Sequence, residues 1–121
     1  MTEKKILIVE DNEIVALETN ERLKRLGYTV TGVAATGTEA VALARSTQPD
    51  LILMDINLKG PMDGINAAEQ IEAFLDVPVI YLTAYSDDET LQRAKKTKPV
   101  AYLIKPFKER ELYSNIELAL H

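Results

Sequence analysis

Three acids, one hydroxyl and one lysine stand at the ends of short apolar runs in this chain. Leu51-Ile52-Leu53-Met54 is followed by Asp55, Ile6-Leu7-Ile8-Val9 by Glu10-Asp11, Val79-Ile80-Tyr81-Leu82 by Thr83, and Ala101-Tyr102-Leu103-Ile104 by Lys105. Four apolar residues in a row read as a strand buried on both faces, and in an open α/β sheet chemistry sits at the carboxyl ends of such strands. If the strands run parallel, these residues converge on one edge. Three carboxylates in close quarters repel and need a cation. Oxygen-only donors on a partly hydrated shelf suit magnesium, which retains waters and shares its shell with phosphate oxygens. Lys105 adds a mobile positive charge and Thr83 a hydroxyl donor.

Each residue also has a plain structural reading. An Asp at a strand end is usually a helix cap, and Glu10-Asp11 could be a negative pair at the positive end of a helix. Lys105 could form a structural salt bridge, and Thr83 is a β-former. Only their joint placement on four strand ends argues for a site.

The elements that must deliver them alternate strictly. The first strand stops at Glu10-Asp11-Asn12, and a helix over about 13–26 carries Ala16, Leu23 and Leu26 on one face before Gly27. Thr29 to Ala34 is a second strand, and Thr36-Gly37-Thr38-Glu39 has capping-box spacing ahead of a second helix with Ala40, Leu43 and Ala44. Gln48-Pro49-Asp50 leads into the central strand. A loop from Asn57 to Met62 precedes a third helix from about Asp63, with Ala67, Ile71 and Phe74 at helical spacing.

Val77 to Thr83 is a fourth strand with its proline at the start, and Ser86-Asp87-Asp88-Glu89 again has capping-box spacing. The fourth helix has only Leu91 and Ala94 as an apolar face, so it docks weakly and shifts easily. After a fifth strand over 100–104, a last helix from about Lys108 aligns Leu112, Ile116, Ala119 and Leu120. Five strand–helix units predict an α/β fold, a doubly wound parallel sheet with helices on both faces.

At 121 residues the chain fits one domain over 1–121, too short for a core plus an appended output module. A net charge of −5 and the lack of any Lys/Arg run argue against direct nucleic-acid binding. With no cysteine, disulfides and thiolate metal sites are excluded. No signal-peptide pattern and no membrane-length apolar stretch is visible, which predicts a cytoplasmic protein without membrane contact.

The chain resembles a two-component response-regulator receiver domain over essentially its full length. The resemblance is carried by Val9-Glu10-Asp11, Leu53-Met54-Asp55, Met62-Asp63-Gly64, Leu82-Thr83-Ala84 and Lys105-Pro106-Phe107, in that order and spacing. It implies a flavodoxin-like (βα)5 fold with strand order 2-1-3-4-5. It further implies that Asp55 is the phosphoryl acceptor, taking its group from a phosphohistidine on a sensor histidine kinase or phosphotransfer domain. Asp11 and Asp55 would ligate Mg2+ through carboxylates and Asn57 through its backbone carbonyl, with Glu10 acting through water. Lys105 would pair with a phosphoryl oxygen, and Thr83 would move its hydroxyl toward another past the small Ala84.

By the same resemblance Tyr102 is the switch aromatic, turning inward when Thr83 moves and altering the surface of the fourth helix, fifth strand and fifth helix. The weak apolar face of the fourth helix agrees. Pro106 would follow a cis peptide bond. Asn57 and Tyr85 lie where attacking water approaches and would set the phosphoryl lifetime. Such a chain is a signalling switch rather than an enzyme. Its output would be a downstream protein target or a fused output or kinase domain, with a homodimer through the switch surface as a further option.

Two departures stand out. The loop after Asp55 is one residue longer than the commonest receiver pattern, with Leu58-Lys59-Gly60-Pro61 in place of the usual Met-Pro, and Glu10 stands where a second aspartate is common. Competing readings are a non-phosphorylated interaction module on the same fold, a flavin carrier and a small phosphatase. Glu10-Asp11-Asn12 would repel an unescorted phosphate where a flavin carrier needs a hydroxyl- and glycine-rich loop. A phosphatase would want a second catalytic aspartate near Asp55.

Overall fold

The computed structural model describes residues 3–84 and 87–121. The elements alternate as β1 (Lys5–Val9), α1 (Glu13–Arg25), β2 (Thr29–Ala34), α2 (Gly37–Thr47), β3 (Leu51–Asp55), α3 (Gly64–Glu72), β4 (Val79–Thr83), α4 (Asp88–Lys96), β5 (Ala101–Ile104) and α5 (Glu109–Leu120). All neighbouring strands pair parallel in the order β2-β1-β3-β4-β5, as expected. Among the described residues no helix is long and apolar enough to cross a membrane.

The apolar runs are continuous because alternate side chains serve opposite layers. Leu7, Val9, Ile52, Met54 and Tyr81 join a core with residues of α2, α3 and α4. Ile6, Ile8, Leu51, Leu53, Ile80 and Leu82 join a second core with residues of α1 and α5. Every residue of β3 is buried, Asp55 included.

After β1 the chain turns to one side to form β2, then returns to place β3 on the other. This reversal opens a crevice between the carboxyl ends of β1 and β3, which is where a doubly wound sheet binds ligands.

Helix starts follow their caps. Asn12 Oδ1 accepts from the Ile14 and Val15 amides at 3.0 and 3.1 Å, and Thr36 Oγ1 accepts from Glu39 N at 3.1 Å. A full capping box occurs at α3, where Asp63 Oδ1 accepts from Asn66 N at 2.9 Å and Asn66 Oδ1 from Asp63 N at 3.3 Å. The sequence pattern missed it because Asn, rather than Glu or Gln, stands at the third position.

Several boundaries differ from the sequence reading. β4 starts at Val79 because Pro78 has no N–H for the ladder, although its carbonyl accepts from Ile52 N at 3.0 Å. Phe74 lies past the end of α3, where its ring carries the Arg45 guanidinium 4.0 Å from its centroid. The expected cap Ser86 lies outside the described residues. Asp87 caps α4, accepting from Thr90 N at 3.0 Å. Within α4 only Ala94 is buried, a thinner apolar face than Leu91 and Ala94 together would give.

Candidate functional site

The carboxyl ends of β1, β3, β4 and β5 meet at one rim. Glu10 leaves β1 with its amide bonded to the Ala34 carbonyl at 2.8 Å, and its Oε2 accepts from Asn12 N at 3.2 Å. The residue that caps α1 thus also orients the first acid. Asp55 ends β3 with its Oδ1 accepting from Asn57 N at 3.1 Å. Glu10, Asp11 and Asp55 each offer a carboxylate oxygen within 4.8 Å of the others.

Lys105 reaches this group from β5, and its amide donates to the Thr83 carbonyl at 2.7 Å. Its Nζ lies 2.9 Å from Glu10 Oε1 and 3.3 Å from Asp55 Oδ2. The Lys105–Pro106 peptide is cis, as expected. Thr83 is fully buried, and its Oγ1 accepts from Asn57 Nδ2 at 3.4 Å. Asn57 therefore touches both Asp55 and Thr83, a link that sequence spacing does not reveal.

Electrostatics separate the two buried acids. Burial raises the Asp55 carboxyl to about 6, and the hydrogen-bonded, charged Glu10 pushes the same way, against the pull of Lys105 and the Asn57 amide. Burial also pushes Glu10 upward, but its bonds to Lys105, Asp55 and Asn12 bring it below its ordinary value. Burial would lower the Lys105 ammonium, yet Glu10 and Asp55 hold it above its usual value. Negative charge thus settles on Glu10 while Asp55 gains proton affinity.

The donor set fits a hard divalent cation. Three carboxylates gather beside one ammonium that pairs with two of them, all donors are oxygens, and burial together with the neighbouring Glu10 raises the Asp55 carboxyl, a penalty that a bound cation would relieve. Asn57, whose carbonyl was expected to join them, is held beside Asp55 by its amide.

The longer loop after Asp55 is accommodated by backbone geometry. Lys59 forms an isolated parallel bridge with Thr36, and Gly60 takes φ +96°, a conformation open to glycine. At the loop's end Gly64 N donates to the Ile56 carbonyl at 2.8 Å. A Cβ on Gly64 would come within 2.2 Å of the Asp55 carbonyl oxygen, so only glycine lets α3 start this close to the acid. Met62-Asp63-Gly64 was legible as a motif, but the reason for its glycine required the fold.

The remaining expected residues lie around this centre. Ala84 follows Thr83 and is exposed. Tyr102 pairs in register with Tyr81, their ring centroids 6.5 Å apart and edge-on. Tyr81 in turn shares a 2.7 Å hydrogen bond with Thr97 Oγ1, at the C-terminal cap of α4. Tyr85 lies outside the described residues.

The profile of the response regulator receiver domain matches residues 6–117. The transcriptional regulatory protein PdtaR of Mycobacterium tuberculosis is 38% identical over 97% of this chain and 57% of its own length. The phyllosphere-induced regulator PhyR of Methylorubrum extorquens is 37% identical over 95% of this chain and 43% of its own. The chain thus spans about half the length of these curated relatives.

Among solved structures, the signal receiver domain of a modulated diguanylate cyclase from Desulfovibrio desulfuricans superposes with a TM-score of 0.93 at 41% identity, covering 99% of this chain and 95% of that one. The receiver domain of the sensor histidine kinase PA1611 from Pseudomonas aeruginosa, solved with a magnesium ion in its active-site cleft, gives 0.87 at 34% identity, covering 98% of each chain.

Proposed function

Because this chain belongs to the response regulator receiver family, we propose that it is a phosphorylation-driven switch whose acceptor is Asp55. The observation that carries the reading is the placement of Asp55 at the end of the central strand, its Oδ2 3.3 Å from Lys105 Nζ and its carboxylate within reach of Glu10 and Asp11. A sensor histidine kinase or phosphotransfer domain supplies the phosphoryl group as a phosphohistidine.

An Asp55 carboxylate oxygen attacks phosphorus, the new O–P bond forms as the N–P bond breaks, and the electron pair returns to the donor imidazole. The product is an acyl phosphate. In its slower hydrolysis, water attacks phosphorus, the O–P bond to Asp55 breaks, and the carboxylate and inorganic phosphate are released. The protein thus modifies itself and is not a turnover enzyme.

Asp11, Asp55 and the Asn57 carbonyl would hold Mg2+, with Glu10 acting through water. When bound, the cation offsets charge accumulating on the phosphoryl oxygens. The chain's own contributions are positional. The Asn57 amide fixes the Asp55 carboxylate, and Lys105 is placed to follow the new charge from Glu10 and Asp55 to a phosphoryl oxygen. Thr83 gives up its Asn57 contact to reach another.

Movement of Thr83 frees Tyr102 to turn, and Tyr102 meets the Tyr81 ring whose hydroxyl is tied to the end of α4. With one buried residue in α4, a small bias suffices to shift it.

Acetyl phosphate with Mg2+ should add one phosphoryl group to the intact mass of the wild type and none to Asp55→Asn. An unchanged mass, with Asp55→Asn binding partners as the wild type does, would instead favour a constitutive interaction module.

A further inference from the structure

An ion pair near the site takes no part in the acceptor constellation. Arg93 Nη1 of α4 lies 2.9 Å from Asp63 Oδ2, the cap residue of α3. The other oxygen of the same carboxylate accepts from Asn66 N, so Asp63 is bound on both sides. The next residue, Gly64, rests against the Asp55 carbonyl and donates to the Ile56 carbonyl. Arg93 is therefore separated from the acceptor backbone by one cap residue and one glycine.

Around this pair α4 is held sparsely. Ala94 is its buried side chain, and Thr97 is bonded to Tyr81 at its far end. A cavity of about 190 Å³, lined by Ala68, Ile71, Leu75, Val79 and Thr97 among others, lies between the end of α3, the start of β4 and the residues that follow α4. The helix is thus fixed to β4 at its C-terminal cap and clasped to α3 through Asp63, with open space beside the cap that leaves that end loosely packed.

We infer that Arg93 is a positioning residue that couples α4 to the acceptor loop through Asp63. Because coupling between two sites is reciprocal, a helix held by Arg93 steadies Gly64, Asn57 and with them the Asp55 carboxylate. Release of the clasp loosens both ends. The coupling is a property of the unmodified protein; only its consequence for phosphorylation rests on the reading of Asp55 as acceptor.

Amide hydrogen exchange on the unmodified wild type, Arg93→Gln, Asp63→Asn and their double variant tests this. Asn at residue 63 keeps the cap oxygen and loses the charge. Either single change should speed exchange in α4 and at the Asn57 and Gly64 amides about two- to five-fold, the ratio a half-exposed ion pair supports. The double variant should show no further increase, and Arg93→Lys should restore slow exchange.

Faster exchange confined to α4 would make the pair a local tether and overturn the coupling, as would additive effects in the double variant or equal acceleration in α5. The mass test with acetyl phosphate is separate, so a chain that takes up no phosphoryl group but shows the coupled exchange would sink the acceptor reading and leave this one standing.

Discussion

Gly64 lies directly against the carbonyl of Asp55, so close that a Cβ there would sit 2.2 Å from the oxygen and 2.9 Å from the Ile56 Cα. Both obstacles are backbone, which cannot swing aside as a side chain can. Gly64→Ala should therefore destabilise the fold by about 1–3 kcal/mol and displace the end of β3. Urea denaturation reads the first effect and the rate of Asp55 modification by acetyl phosphate the second. Gly27→Ala is the control. With φ +95° and open space around it, it strains a turn without reaching the site, so it should cost about 1 kcal/mol and leave the modification rate alone. Equal rates in Gly64→Ala and the wild type would dissociate α3 from the acceptor.

Lys105 touches Glu10 and Asp55 at once, and its removal leaves two buried acids facing each other. In EDTA, Lys105→Ala should melt below the wild type and its Asp55 carboxyl should titrate above about 6, having lost the ammonium that lowers it. Added Mg2+ should recover most of the lost stability, since the cation replaces the missing charge. Carbon-13 carboxyl shifts and thermal melts check both statements. A variant as stable as the wild type in EDTA would show that the acids ionise independently of Lys105.

Much of this site is legible in the sequence alone. Apolar runs ending in Asp55, Glu10-Asp11, Thr83 and Lys105 identify parallel strands and their carboxyl ends, because the rule linking continuous apolar strands to a covered sheet is strong. What the pattern could not supply was contact across the rim. That Lys105 lies nearer Glu10 than Asp55, that Asn57 reaches Thr83 and that Arg93 reaches Asp63 depend on rotamers and on how α3 and α4 tilt. The box at α3 escaped the pattern because Asn66 stands where Glu or Gln is usual, although the helix start near Asp63 was right, and β4 was begun two residues early because Pro78 delays its ladder.

The pH dependence of cation binding follows from Asp55. Its folded value, about 6, lies above the ordinary 3.8, so without metal its ionisation opposes folding and stability falls as pH rises from about 4 to 6. Glu10, shifted the other way, contributes stability that is lost as pH falls through its lowered value. A cation binds only the ionised Asp55, so Mg2+ should bind about tenfold more weakly at pH 5 than at pH 7. Thermal shift on Mg2+ addition should shrink correspondingly, and Asp55→Asn should remove this pH dependence. A Mg2+ affinity flat across that range would place the cation away from Asp55.

Tyr81 and Tyr102 offer a way to separate the signal's arrival at α4 from its origin. Tyr81→Phe keeps the edge-on ring contact with Tyr102 but loses the hydroxyl bonded to Thr97, which still donates to the Ala94 carbonyl at 2.7 Å and so remains satisfied. The expected stability cost is about 1 kcal/mol. Beryllium fluoride with Mg2+, standing in for the phosphoryl group, should perturb NMR signals of Tyr102 and α4 in the wild type. In Tyr81→Phe the Tyr102 signals should still respond while the last turn of α4 no longer follows. In Tyr102→Leu the last turn of α4 should stay silent, while the acceptor loop and the turn that carries Arg93 still respond. If α4 responds fully in Tyr102→Leu, the aromatic pair is packing alone and the signal leaves the site by another route, of which the Asp63–Arg93 pair is the nearest.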